Sequence, residues 1–387
     1  MKKLFKLLPV ALLLIAALAF SACQTEEDPT ETPANNVETP ANNAETPAAT
    51  GDASNIRIAL IAHSPESILD DGSFNAGAWQ GIQQFAAANG LSADATRFFQ
   101  PQSASDEARI DLIADAIGEF GANILVLPGF HFQASLYQAQ DMFPEAMFVL
   151  LDASPQLPDG DVRIENNLVA IHYAEEQSGF LAGYAAVMEG YRNLGFMGGV
   201  PVPAVVRFGH GFIQGAEYAA NSLGLSAGDV TMNFEYLFSF APDPAHVTRA
   251  GAWFASGTEV IFAAAGGAGF SVIAAAETAG ASVIGVDVDQ AEDGAVVVTS
   301  AVKGLAPSVI YMLEAFRDGN FPGGVEYRFD AAIDGVGLPM ASSRLQNFTQ
   351  AQYDAIFAQL ASGAVNVSSS MNADDIQTTL VEVTRFE

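Results

Sequence analysis

"NIRIALIAHSPESILDDGSFNAGAWQGIQQFAAANG", residues 55–90, decides how this chain folds. "IRIALIA" (56–62) is a short aliphatic run, the pattern of a strand buried on both faces. "FNAGAWQGIQQFAAANG" (74–90) reads as a helix that stops at glycine. A strand that turns into a helix, repeated, builds a parallel sheet covered by helices on both sides. The repeats are "NILVLP" (123–128) and "AMFVLLD" (146–152), then "NLGFMGG" (193–199), "VTMNFEY" (230–236), "EVIFAAA" (259–265), "ASVIGVD" (281–287) and "AVVVTS" (295–300). "EEQSGFLAGYAAVMEG" (175–190) is a second helix ending at glycine. The series breaks near 153–168 at "SPQLPDGD", so the chain reads as α/β with two doubly wound lobes.

In open α/β sheets ligands bind at the C-terminal ends of the strands. Five such ends carry candidate chemistry. The first leads into Asp70, Asp71, Gly72, Ser73, Phe74 and Asn75, where an Asp or Ser also suits a helix N-cap. Asp152 ends the strand at 146–152. Gly266, Gly267 and Gly269 follow the strand at 259–265, where a ligand can approach bare backbone and helix N–H groups. Asp287 and Asp289 end the strand at 281–287, and Lys303 follows the last strand. Carboxylates accept two hydrogen bonds at once, which suits a vicinal diol, and phenylalanine faces suit a flat ring. This combination fits a neutral polar molecule with a planar part. No catalytic residue is expected: Gly-x-Ser-x-Gly is absent, and Glu175 and Glu176, adjacent on a helix, point apart. The five histidines are scattered without metal-ligand spacing, and the glycine segment lacks a nucleotide phosphate-loop pattern. Neither a metal nor a cofactor is expected.

The beginning of the chain is different material. Lys2, Lys3 and Lys6 precede the apolar run "LLPVALLLIAALAF" and then "SAC", the order of a secretory signal. Cys23, the one cysteine, sits where a bacterial lipobox places the residue that is lipidated, so residues 1–23 read as a lipoprotein leader. "ETPANNV", "ETPANNA" and "ETPAATG" then repeat every seven residues. Proline in every unit and no apolar seam make residues 24–54 a disordered spacer between anchor and globular body. The chain carries 45 acidic against 15 basic side chains, a net charge of −30. So acidic a protein is unsuited to nucleic acid or to an anionic lipid surface. Beyond Lys6 the one lysine is Lys303; arginine fills every other basic position.

Taken in order, "DDGSFNAGAWQG", "VLPGFHF", "FVLLDASP", "EEQSGFLAGYAA", "LGFMGGVPVPAVVRFGHGFIQGA", "VIFAAAGGAG", "VIGVDVDQ" and "TSAVK" resemble the basic membrane protein family of substrate-binding lipoproteins, the purine nucleoside receptor type. The resemblance spans essentially everything after the spacer. It implies a type I periplasmic-binding-protein fold of two lobes joined by three crossings. The N-terminal lobe would comprise 55–168 plus 299–322 and the C-terminal lobe 169–298 plus 323–387. It also implies a monomeric, membrane-anchored, extracytoplasmic receptor that delivers a nucleoside to an ABC permease. Carried over by residue, Phe74 and Asn75 match the family's first aromatic face and its polar neighbour, and Asp152 matches a strand-end aspartate. Phe240 in "YLFSFAPD" matches the second stacking ring, with Phe208 as the alternative. Gly266 matches a close backbone approach, Asp287 the carboxylate for ribose hydroxyls, and Lys303 a ligand-facing lysine. Asp71 completes the expected binding set. "YLFSF" and "GGAGFS" depart from the family pattern and leave another sugar-like or small signalling ligand open, with a nucleosidase as a further alternative.

Overall fold

The computed structural model describes residues 53–386 and the two-residue strand Val37–Glu38. The leader at 1–23, Cys23 and the rest of the spacer lie outside the described residues. In chain order the elements are β1 (Val37–Glu38), β2 (Ile58–Ile61), α1 (Phe74–Ala88), β3 (Thr96–Phe99), α2 (Asp106–Gly118), β4 (Ile124–Pro128), α3 (Gln133–Met142), β5 (Met147–Leu151) and β6 (Leu168–Tyr173). The chain then crosses into α4 (Glu175–Glu189), β7 (Asn193–Gly198), α5 (Pro203–Ser222), β8 (Val230–Tyr236), α6 (Pro244–Ala255), β9 (Val260–Ala264), α7 (Gly269–Ala279), β10 (Ser282–Asp287) and β11 (Val297–Lys303). It returns for α8 (Leu305–Arg317) and β12 (Val325–Phe329), and crosses again for β13 (Val336–Gly337), α9 (Gln350–Ala361) and β14 (Val381–Arg385).

Two seven-stranded sheets result, ordered β1-β12-β6-β5-β4-β2-β3 and β13-β11-β10-β9-β7-β8-β14. Every pairing between these strands is parallel except β11 with β13. The period of two along each strand sorts the side chains. Ile58, Leu60, Ile124, Val126, Val149 and Leu151 face the core shared with α1. Ala59, Ile61, Leu125, Leu127, Phe148 and Leu150 face the opposite core under α2 and α3. Runs that are apolar on both faces are therefore what the doubly covered sheet requires.

The three crossings differ in place from the expected boundaries. Residues 168–173 form β6 and pair with β5, so the first crossing falls after Tyr173, not at 168/169. β11 pairs with β10 through Val302, which moves the second crossing from 298/299 to beyond Lys303. β12 pairs with β6, so 325–329 belongs to the first lobe, not the second. For the first crossing the physical reason is at "SPQLPDGD": this proline-bearing loop returns to the sheet it left, with Gln156 bridging to Val162 just beyond it. Val37–Glu38 likewise runs parallel to β12, a strand within the segment expected to be spacer.

Inside the second lobe α4 and α5 lie backbone against backbone. A Cβ built on Gly183 would stand 2.1 Å from the Phe212 carbonyl oxygen, and one on Gly215 would stand 1.9 Å from that of Phe180. Gly179 and Gly211 meet Phe208 and Glu176 oxygens at 2.2 and 2.1 Å in the same sense. The spacings "GFLAG" and "GFIQG" put each pair of glycines one turn apart on a single face. This contact fixes the start of α4, and with it Glu175, against the helix that carries Arg207.

Candidate functional site

Each sheet reverses its winding next to its first central strand. β2 lies between β3 and β4, and β7 lies between β8 and β9. A crevice opens at such a switch point, and here the two crevices face one another across a cavity of about 610 Å³. All nine expected residues line it: Asp71, Phe74, Asn75, Asp152, Phe208, Phe240, Gly266, Asp287 and Lys303. They arrive from the ends of β2, β5, β9, β10 and β11, from the loop after β8, and from α5.

Lys303 is the centre of the charged part. It is the last residue of β11, paired with Val336, rather than the first residue beyond a strand. Its Nζ lies 2.5 Å from Asp152, 3.4 Å from Asp287 and 3.7 Å from Glu175, with 2% of the side chain exposed. Glu175 also accepts from Arg207 at 2.7 Å. Three carboxylates and two cations thus share one buried volume. Burial would push the Lys303 ammonium down, but the three acids outweigh it and hold it above the usual lysine range. Asp152 is pushed up to about 7 by burial, with Lys303 opposing and Glu175 and Asp287 adding. Burial also acts on Glu175, where Arg207 and Lys303 prevail and keep the carboxyl below its ordinary value.

Asp152 and Asp287 both sit at positive φ, +62° and +66°. An aspartate tolerates that region at a cost of about 1–3 kcal/mol, and such strain collects at functional sites. Asp287 accepts from Ser73 Oγ at 2.6 Å. Asp152 Oδ1 is buried with no hydrogen-bond partner among the described residues. A buried carboxylate oxygen left open carries a desolvation cost that a hydroxyl donor from a ligand relieves.

The rings flank this cluster. The face of Phe74 lies 4.5 Å from Lys303 Nζ. Phe240 comes from the second lobe; its ring lies 3.4 Å from where a Cβ on Gly266 would stand, and the φ of +53° at Gly266 disfavours any side chain there. Phe208 also lines the cavity but is 2% exposed and packs edge-on to Phe262, a core position whose ring lies 5.6 Å from Lys303 Nζ. The glycine loop is less open than expected, because Ala268 donates its N–H to the Phe240 carbonyl. Asp71 is chiefly a brace: its carboxylate accepts from the N–H groups of Ser73, Asn75 and Ala76, closing the start of α1. Asn75 spends its amide on the Ile68 carbonyl at 3.0 Å. Asp289 is not in the cavity; it accepts from Ala291 N and Ser342 Oγ.

Sequence reasoning missed Glu175 and Arg207, and it missed a pair of histidines. His63 and His131 line the cavity and stack with centroids 4.2 Å apart and planes 4° from parallel. Burial pushes His63 down to about 4, with Arg109 adding and Glu66 opposing. Burial, then His63 and Arg109, take His131 to about 3. Glu175 and Glu176 do point apart, as expected: the second pairs with Arg328. One hydroxyl resembles a nucleophile only at first sight. Ser154 Oγ lies 2.8 Å from His172 Nε2 and also donates to Glu326, so the hydroxyl bridges the two. A nucleophile relay needs the imidazole in that middle position. Among the described residues no cluster of three or more His, Cys, Asp or Glu fits a metal ion.

A family model described as ABC transporter substrate-binding protein PnrA-like, of the Bmp family, matches residues 57–370. An ABC transporter nucleoside-binding protein, BmpA of Lactococcus lactis subsp. cremoris, is 29% identical over 72% of this chain and 81% of its own length. Basic membrane protein B of Borreliella burgdorferi is 27% identical over 75% of this chain and 82% of its own. Among solved structures, a solute-binding protein of an ABC transporter system from Aeropyrum pernix superposes with a TM-score of 0.69 at 20% identity, covering 83% of this chain and 95% of that one. The expected type I periplasmic-binding fold is the fold found. Fold, matched residues and relatives agree: the chain belongs to the Bmp family of PnrA-like ABC transporter substrate-binding proteins.

Proposed function

We propose that this protein is a lipid-anchored extracytoplasmic receptor that captures a purine nucleoside between its lobes and passes it, as a monomer, to an ABC importer. The observation that carries the reading is the open Asp152 Oδ1 beside Asp287 and Lys303, flanked by Phe74 from one lobe and Phe240 from the other. A ribose diol donates to the strand-end carboxylates, while the base stacks between the rings. Closure follows from a ligand that binds both lobes better together than apart. The nucleoside-binding name of the Lactococcus relative supports the ligand class. Titration calorimetry of the full chain with inosine, guanosine and adenosine is expected to give micromolar or tighter binding. Asp287→Asn should weaken it at least tenfold, about 1.4 kcal/mol, in line with a hydrogen bond to a charged group. No heat from any of the three overturns the nucleoside; release of free base, lost in Asp287→Asn, makes the protein a nucleosidase instead.

The anchor is the second part of the proposal. No helix among the described residues is long and apolar enough to cross a membrane, and the acidic body offers no basic patch for lipid. In the anchored reading, attachment rests on Cys23. Cys23→Ala should move the protein from the membrane pellet to the soluble fraction of the producing cells. Retention in the pellet by the variant sinks the lipid anchor while leaving the ligand reading intact.

A further inference from the structure

The cavity has two ends of different chemistry. One holds Asp152, Asp287 and Lys303. The other is walled by His63, His131, Phe130 and Ser67, where the side-chain charges that weigh on the histidines are those of Arg109 and Glu66. Phe74 links the two ends. Its ring faces Lys303, and its Cε1 stands 3.8 Å from where a Cβ on Gly129, two residues before His131, would lie. Phe74 thus stands beside both the carboxylate end of the cavity and the loop after β4 that carries His131.

The two histidines are not equivalent. His63 is committed locally: its ring nitrogen lies 3.1 Å from Ser67 Oγ, and its carbonyl accepts from Arg109 Nε. His131 packs against two rings, stacked on His63 at 4.2 Å and tilted by 36° to Phe130 at 3.9 Å between centroids. Its ring nitrogens make no hydrogen bond with any described residue. Two rings fix its plane, and its hydrogen-bonding edge is left to the cavity.

We propose that His131, packed against His63 and Phe130, is the residue that reads the substituted edge of the base and so sets which nucleosides bind. This deepens the nucleoside reading above and rests on it. A neutral imidazole carries one donor and one acceptor. Moving the proton from one ring nitrogen to the other exchanges them, so the same nitrogen donates to a 6-oxo group in one tautomer and accepts from a 6-amino group in the other. The site accordingly takes inosine and adenosine alike and disfavours a purine riboside with nothing at that carbon. Histidine is retained there in neutral form, because burial and Arg109 both oppose a second proton.

The test is calorimetry on the full chain with inosine, adenosine and unsubstituted purine riboside. Wild type is expected to bind the first two within about fivefold of each other and the third about tenfold more weakly, the effect of one lost hydrogen bond. His131→Phe keeps the stack and removes the nitrogens. It should lower affinity for inosine and adenosine about tenfold and leave purine riboside unchanged within about twofold. His131→Gln keeps a donor and an acceptor, and it should hold inosine within about threefold of wild type, which also guards against a phenylalanine variant that fails to fold. Equal losses for all three ligands in both variants make His131 a packing residue and overturn the proposal. So does unchanged inosine binding in His131→Phe, which leaves the nucleoside reading standing. Wild type that binds none of the three removes both.

Discussion

Lys303→Met is expected to cost about 3–5 kcal/mol of stability and to abolish measurable ligand binding. The side chain is buried, and its loss leaves Asp152, Asp287 and Glu175 sharing a volume with one cation, Arg207. Breaking a buried pair by removing one partner is far more damaging than never having built it, because the orphaned charge has no water to return to. The loss has a sign in pH. Without the ammonium, Asp152, already pushed up by burial, loses the charge that opposes that shift, so its folded-state pKa stands further above that of the unfolded chain, near 4. A raised folded-state pKa gives stability that is present at low pH and lost as pH rises through it. The deficit of Lys303→Met should therefore shrink at pH 5 and grow at pH 8, as read by urea unfolding of both proteins at each pH. Lys303→Arg keeps the charge, but the guanidinium is longer and forked where the ammonium sits 4.5 Å from the Phe74 ring. It should bind ligand at least tenfold more weakly with nearly normal melting. A Lys303→Met protein as stable as wild type at pH 8 would show that the cluster does not depend on its lysine.

Gly215→Ala is the second large effect. An added methyl would lie 1.9 Å from a backbone oxygen of α4, and no rotamer change can move a backbone atom. Overpacking typically costs about 1–3 kcal/mol when side chains can shift; between two helix backbones about 3 kcal/mol or more is expected. The lesion would also swing Glu175 away from Lys303, so ligand binding should fall together with stability. Gly251→Ala is the control. That glycine lies in α6 with nothing within 4 Å of the new carbon, and alanine there should stabilise by about 0.5–1 kcal/mol. If the two substitutions shift the melting point equally, the close packing of α4 on α5 carries no special weight.

Much of this was legible in the residues, for reasons that can be named. Strand ends in an α/β sheet are marked by the stop of an aliphatic run, so Asp152, Asp287 and Gly266 could be placed without coordinates. Lys303 stood out because arginine fills every other basic position beyond Lys6. Asp71 shows the limit of residue type: cap and ligand group look the same in sequence, and three backbone N–H bonds show how much of its carboxylate the helix start uses. The lobe boundaries were misread because a proline-bearing loop looks like a linker whether it leaves a lobe or returns to it. β6 and β12 pair across a long stretch of intervening chain, a relation that no local pattern carries. His63 and His131 were invisible for the same reason. They are scattered along the chain and become a pair only when β2 and β4 lie side by side.

The burial of Lys303 has a practical consequence. Beyond the first six residues the chain offers a single side-chain amine, and that amine is 2% exposed beneath the Phe74 ring. On the proposed receptor reading, a reagent that acylates amines reaches it when the lobes part. Mass spectrometry of the one tagged peptide then follows the open fraction, with no engineered label, and ligand that holds the cleft shut slows the tagging.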